Sequence, residues 1–150
     1  MAAAAKIIEI ADAVVGELNA ALLSQEFIAE RAYLAWLELR DLADLKVIVV
    51  PTTVLPATEA GTRAATRHEY GIIVGVQKKL KEVGDAEKTE IDGLMLLVEE
   101  IAKHLERRPL AACSDAKWLT TENAPVFMPE HIDEMRQFTS LLTVTYRAAR

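Results

Sequence analysis

Apolar residues recur with the period of an α-helix in two long stretches of the chain. In residues 2–23 the apolar positions form one stripe and the charged residues lie outside it. A second stripe with the same period runs through residues 88–108, where Arg107 and Arg108 suit the carboxyl end of the helix dipole. Pro109 follows and prevents continuation. The pattern therefore predicts two long helices, each with one face to bury.

Other stretches alternate apolar and polar residues with the period of two that is typical of β-strands. Alternation predicts strands at residues 31–40, 69–79 and 137–147, and a β-branched run before Pro51 predicts one at residues 46–50. Residues 117–121 and 126–128 have the character of short strands on either side of a turn. The stretch 137–147 has an apolar face and a Thr-rich face, which suits a sheet surface that meets water or another subunit. In the stretch 69–79, Gly71 and Gly75 leave room for a close neighbour, most simply a helix packed on that face.

The order of these elements predicts the fold class. Two long helices and about five strands fit an α+β fold, with a mixed or antiparallel sheet and both helices packed on one face. The chain has 150 residues, and a domain of this size buries roughly 70% of the surface that its unfolded chain would expose. We therefore expect one domain over residues 1–150, with no cofactor needed for stability.

A long connection separates the second and third predicted strands. Pro51 cannot donate a hydrogen bond to a sheet, so it is expected to end the second strand. The connection 51–68 is too long for a tight turn, and connections of more than ~12 to 15 residues are usually functional or disordered. A docking element and a floppy insertion both stay open. The tip carries Arg63 and Arg67, which suit docking on an acidic surface.

Composition and charge exclude several classes of protein. The formal net charge of −6 weighs against a protein that gains its affinity by neutralising phosphates. Cys113 is the single cysteine, which excludes an intramolecular disulfide and fits a reducing compartment. A buried or incidental thiol is favoured over a nucleophile. The apolar runs are interrupted by charges, so we expect neither a secretory signal nor a membrane span.

The densest group of potential ligands or acid–base residues lies at residues 130–134. A carboxylate beside the His131 imidazole would suit proton transfer or metal binding. Adjacent residues in a short polar loop seldom converge on one point, so a solvated or interfacial loop is favoured over these alternatives. Pro129, Glu130 and the later Arg136 also fit a short helix, with proline and acid at its start and base near its end.

Several segments together resemble a family of bacteriophage proteins. They are residues 70–79 (YGIIVGVQKK), 97–101 (LVEEI), 127–131 (FMPEH), 136–140 (RQFTS) and 145–147 (TYR). In this order they resemble the tail terminators, or tail completion proteins, of long-tailed phages. The resemblance covers nearly the whole chain, and its motifs are structural rather than catalytic.

The resemblance implies a structural role and no activity. Such proteins form a ring, usually of six subunits, that caps the finished tail tube, stops its polymerisation and offers a surface to the head connector. It implies a mixed sheet with two packed helices, no cofactor, and a place in the virion after assembly in the host cytoplasm. DNA passes through such a ring without specific binding, and the acidic balance of this chain agrees with that.

The family has no fixed contact residues to carry over, so the interface is predicted from the residues themselves. The candidates are Arg63, Arg67, Glu130, His131, Glu134 and Arg136. We expect the connection 51–68 to dock on the tube. Two other interpretations remain: another neck ring, such as a head completion or stopper protein, and a small metal-dependent enzyme that uses residues 130–134.

Overall fold

The computed structural model describes residues 4–33, 45–56 and 67–149. Their elements are, in chain order, α1 (Lys6–Ala20), β1 (Ala29–Arg31), β2 (Lys46–Pro56), β3 (Arg67–Lys79), α2 (Asp85–Leu105), β4 (Lys117–Asn123), α3 (Pro129–Met135) and β5 (Gln137–Ala149).

The described strands form one mixed sheet in the order β1-β2-β3-β5-β4. β1 runs parallel to β2, and the other neighbours are antiparallel. Both long helices pack on one face, where they meet the alternate buried residues of the central strand β3: Tyr70, Ile72, Val74 and Val76. The predicted α+β class is confirmed, because a mixed sheet of five described strands buries one face against both amphipathic helices.

The two long helices keep the apolar stripes that predicted them. Ile10, Val14 and Leu18 of α1 are at most 1% exposed. Each such side chain contributes about 1.5 to 3 kcal/mol when it is fully removed from water. α2 ends earlier than expected, at Leu105, because the backbone leaves the helical conformation at Glu106, with a ψ of 122°, and Arg107 follows with a positive φ of 57°.

The predicted end of the second strand at Pro51 is wrong. β2 continues to Pro56 and β3 begins at Arg67, so that only residues 57–66, which are outside the described residues, connect them. β1 pairs with Val47–Val49 and has ended before Pro51, so within the described residues β2 is an edge there and tolerates a missing N–H. A register shift between Pro51 and Thr53 absorbs the remaining irregularity.

Two further strand predictions have different outcomes. The prediction at residues 31–40 meets the structure at Arg31, the last residue of β1, and lies outside the described residues from residue 34 on. The prediction at residues 126–128 is wrong. This segment lies along β5 through bonds from Met128 N to Thr139 O (3.1 Å) and from Leu141 N to Pro125 O (3.3 Å), without forming a ladder.

Gly71 shows that a side chain, rather than the helix we expected, approaches the open face of β3. Gly71 lies opposite Thr53 of β2, and a Cβ atom at Gly71 would overlap Thr53 Oγ1. Thr52 Oγ1 also donates a hydrogen bond to Gly71 O over 2.9 Å. The glycine therefore makes space for the threonines that follow Pro51 in β2.

The Gly71→Ala variant is expected to lose about 1 to 2 kcal/mol of unfolding free energy, since the new methyl group forces Thr53 out of its position. Adding Thr53→Ala should recover most of this loss, because it removes the overlapping hydroxyl. Urea denaturation of the two single variants and the double variant measures the coupling. Equal losses in Gly71→Ala with and without Thr53→Ala would contradict the assignment.

Candidate partner interfaces at the two ends of the sheet

The register of the longest strands separates the predicted interface residues. β3 and β5 have 13 residues each and pair from Arg67–Ala149 at one end to Lys79–Gln137 at the other. At roughly 3.3 Å per residue these ends are about 40 Å apart. We call them the hairpin end, where β2 ends and β3 begins, and the α3 end, where α3 leads into β5.

The hairpin end holds the basic residues of the prediction. Arg67 is not at a loop tip, as we had expected, but is the first residue of β3, where it is exposed. Arg63 lies outside the described residues. Two residues further along β3, Arg147 Nη2 and Glu69 Oε1 form an ion pair of 3.0 Å across the strands. Leu55 of β2 adds an apolar side chain that is 56% exposed.

The α3 end holds the other candidates, which the short helix α3 brings onto one element. Pro129 occupies the start of the helix and Glu130 its first turn, as the sequence predicted. Arg136 ends the helix with a left-handed φ of 51°. Glu130 and Glu134 are exposed, so α3 presents acidic side chains to solvent.

His131 holds α3 against the sheet. Its Nδ1 atom is 2.8 Å from Thr139 Oγ1 of β5. Gln137 Nε2 donates to the same hydroxyl oxygen over 3.0 Å, in an environment where Gln137 and Thr139 are buried. The imidazole is partly buried and its position is explained by this packing role.

Arg136 connects α3 to the start of α2. Its Nη1 atom pairs with Glu87 Oε2 at 2.6 Å, and its Nη2 atom donates to Glu82 O over 2.7 Å. The backbone closes the same junction, since Leu80 N donates to Arg136 O over 2.8 Å. Arg136 thus fixes the segment between β3 and α2 as well as α3 itself.

Glu90 secures the same segment from the other side. Its Oε2 atom pairs with Lys78 Nζ at 2.7 Å, and its Oε1 atom accepts from Lys81 N and Glu82 N. Burial by itself raises the pKa of Glu90, but the Lys78 ammonium and these backbone donors outweigh it and leave the pKa below its ordinary value. Ion pairs and hydrogen bonds therefore join α3, the end of β3 and the start of α2 at this end.

In the described part of the chain, no side chains are grouped as the alternative of a metal site would require. No three His, Cys, Asp or Glu side chains of residues 4–33, 45–56 and 67–149 lie close enough to hold a metal ion. Cys113 is buried, as expected, and burial followed by its bond to Asp115 raises the pKa of its thiol. No helix among these residues combines the length and apolar character needed to cross a bilayer.

The sequence did not reveal the partners of Arg136 and Lys78. Glu87 and Glu90 lie one helical turn apart at the start of α2, a spacing that also occurs on any solvated helix face. Their function depends on the end of β3 and the end of α3, which are distant in sequence. The one signal for these contacts in the sequence was that β3 ends in lysines shortly before α2, whose first turn is acidic.

Comparisons with known proteins give likenesses among solved structures. No protein-family model matches the chain, and no curated protein matches it. Among solved structures, the chain is similar to a protein described as the PVC sheath/tube terminator of an extracellular contractile injection system, in the extended state. The identity is 14% and the TM-score is 0.46, over 99% of this chain and 58% of that one. The chain thus spans less than two thirds of the length of that terminator.

Proposed function

We propose that the chain is a structural protein of a phage tail, a tail terminator that forms a ring of six subunits. The ring ends polymerisation of the tail tube at its head-proximal end and joins the tail to the head connector. The carrying observation is that one rigid sheet separates two chemically different ends by about 40 Å. A ring held between two different partners needs two such faces.

Charge suggests an assignment for each end. The hairpin end, with Arg67 and the connection 57–66 that precedes it in sequence, faces the tail tube, and the α3 end, where the helix exposes Glu130 and Glu134, faces the connector. Surface charges of this kind act mainly on encounter and orientation. The resemblance in sequence supports the same role, because the mixed sheet with two helices on one face is the fold that it implies.

The proposal extends to the whole particle. Residues 1–150 act as one domain, the protein is part of the virion after assembly in the host cytoplasm, and DNA passes through the ring without specific binding. It requires no cofactor and no catalytic residue. Its partners are further copies of the chain, the tube protein and the head completion or connector protein.

The test is termination of tail tubes in vitro. Purified chain added to polymerising tubes should narrow the length distribution and place a ring at one tube end, as seen by negative-stain electron microscopy. The Arg63→Glu/Arg67→Glu variant should fold normally and cap at least about tenfold less well, since reversed charges replace attraction by repulsion.

The matched control reverses two exposed lysines at the other end, Lys79→Glu/Lys81→Glu, and should cap tubes as the parent does. If the parent does not bind tube ends, tail termination is refuted. Binding to head connectors without binding to tubes would instead identify a head completion or stopper protein.

A further inference from the structure

Large apolar side chains that stay exposed gather beside the two edge strands of the described sheet. Beside β1 these are Leu22, Ile28 and Tyr33, with exposed fractions of 100%, 74% and 73%. Beside β4 they are Leu96, Val126 and Phe127, with exposed fractions of 49%, 43% and 36%. Clustered exposed apolar side chains mark interaction sites more often than scattered ones do.

The cluster beside β4 belongs to a groove between α2 and the edge of the sheet. Met95 and Leu96 of α2 form one wall, Asn123 and Val126 form the other, and Leu142 of β5 lies between them. The Asn123 Nδ2 atom donates to Leu141 O over 2.9 Å and to Ser140 Oγ over 3.1 Å, so this amide nitrogen is satisfied within the chain. We call this surface the β4 groove.

The cluster beside β1 is carried by the connection 21–28 between α1 and β1. Leu22 and Ile28 share a depression with Glu30 of β1, and we call this surface the β1 patch. Its two apolar side chains are largely exposed and therefore accessible to a partner.

Hydrogen bonds hold this connection in place. Ser24 bonds to the Glu100 carboxylate on α2, and Gln25 Nε2 donates to Gly93 O over 3.2 Å. The amide of Asn19 bonds to both Ala29 N (2.7 Å) and Ala29 O (3.1 Å). The β1 patch is therefore preorganised, which lowers the entropy lost on binding.

We infer that the β1 patch of one copy packs into the β4 groove of the next copy. β1 and β4 are at opposite edges of the same sheet, roughly 19 Å apart at the spacing of paired strands, so one chain does not join its own two surfaces. A two-fold dimer that pairs like with like leaves one of the clusters exposed. Head-to-tail association covers both clusters and closes into a ring when the rotation closes. The inference rests on the ring proposed above and names the surfaces that form it.

The test uses one charge on each surface and then mixes the variants. Leu96→Glu blocks the groove and leaves the patch intact, whereas Ile28→Glu blocks the patch and leaves the groove intact. A carboxylate in an apolar junction should weaken it by about a hundredfold or more. Each variant alone should be monomeric at concentrations where the parent forms rings, whether in free solution or on tail tubes. Their equimolar mixture keeps one good junction per pair and should give a complex of two copies and nothing larger.

Sedimentation equilibrium measures these masses, and circular dichroism confirms that each variant is folded. Val83→Glu is the control, because this side chain is 74% exposed but lies away from both clusters. It should assemble as the parent does. If the parent forms rings and either single variant also forms rings by itself, the inference is overturned and the proposed function stands. A parent that is monomeric both free and on tubes would overturn both.

Discussion

The Glu90→Gln variant is expected to lose about 3 kcal/mol of unfolding free energy. Lys78 Nζ and Glu90 Oε2 are 2.7 Å apart, and their side chains are only 19% and 9% exposed. Glutamine keeps the size of glutamate and can still accept from Lys81 N and Glu82 N. It leaves the Lys78 ammonium largely buried without a counter-charge, which is the costly part of breaking a buried ion pair. Urea denaturation at neutral pH measures the loss.

The partner substitution shows whether the loss comes from the pair. Lys78→Met removes the ammonium and keeps the long side chain, and we expect it to cost about 2 kcal/mol because Glu90 retains its backbone donors. The double variant Lys78→Met/Glu90→Gln removes both charges and should cost less than Glu90→Gln alone. Losses that add within about 0.5 kcal/mol would mean that the two groups act independently.

The same pair predicts how stability changes in acid. The pKa of Glu90 is lower in the folded protein than in the unfolded chain, so its contribution is fully present above the ordinary carboxyl range, near ~4.3. It is lost as the pH falls through the folded pKa. The difference in unfolding free energy between the parent and Glu90→Gln should therefore shrink below about pH 4. A difference that stays constant from pH 7 to pH 3 would contradict the ion-pair explanation.

The elements that the sequence predicted best are those whose signal is local. Residues 2–23 and 88–108 carry a complete apolar stripe each, and α1 and α2 begin and end within three residues of those limits at every end but one. The exception is the start of α1 at Lys6, four residues after the predicted limit. Burial of one helix face determines the apolar pattern in the sequence, whereas capping determines the residues at which the helix begins and ends.

The elements that the sequence predicted poorly depend on neighbours that are distant along the chain. A proline such as Pro51 would end a strand that is paired on both sides. Among the described residues β1 stops at Arg31, so β2 is unpaired on that side at Pro51 and continues past the proline. Met128 bonds to Thr139 without forming a strand. In the candidate site, the sequence identified Glu130, His131 and Arg136 as one group, whereas the β3–β5 register determines that Arg67 is at the opposite end.

The Arg136→Glu and Glu134→Lys variants are expected to fail in different ways. Arg136→Glu breaks the contacts with Glu87 and with Glu82 O and places a carboxylate beside Glu87. The Arg136 side chain is 43% exposed, so solvent screens the pair and the cost should be about 1 to 2 kcal/mol of unfolding free energy. Its effect on tail assembly should follow this loss of stability and should diminish at lower temperature.

Glu134→Lys should leave the unfolding free energy within about 0.5 kcal/mol of the parent, because Glu134 is exposed on α3. If the α3 end meets the head connector, this variant still terminates tubes but joins heads to tails about tenfold less often. Glu9→Lys, the same charge reversal on α1, is the control and should join heads normally. Counting joined particles by electron microscopy, alongside infectious titre, separates the two steps.

His131→Ala discriminates the structural role from the enzymatic alternative. It removes one hydrogen bond to Thr139, so we expect a loss of about 1 kcal/mol and a mild effect on assembly. If His131 were a metal ligand or a proton carrier, the loss of function would be complete, because alanine can neither bind a metal ion nor carry a proton. Normal rings of His131→Ala with complete loss of infectivity, from a parent that binds a stoichiometric metal, would therefore place chemistry at residues 130–134. Graded losses in the order Glu134→Lys greater than His131→Ala would instead identify α3 as a contact surface, where the sign of the charge matters more than the imidazole.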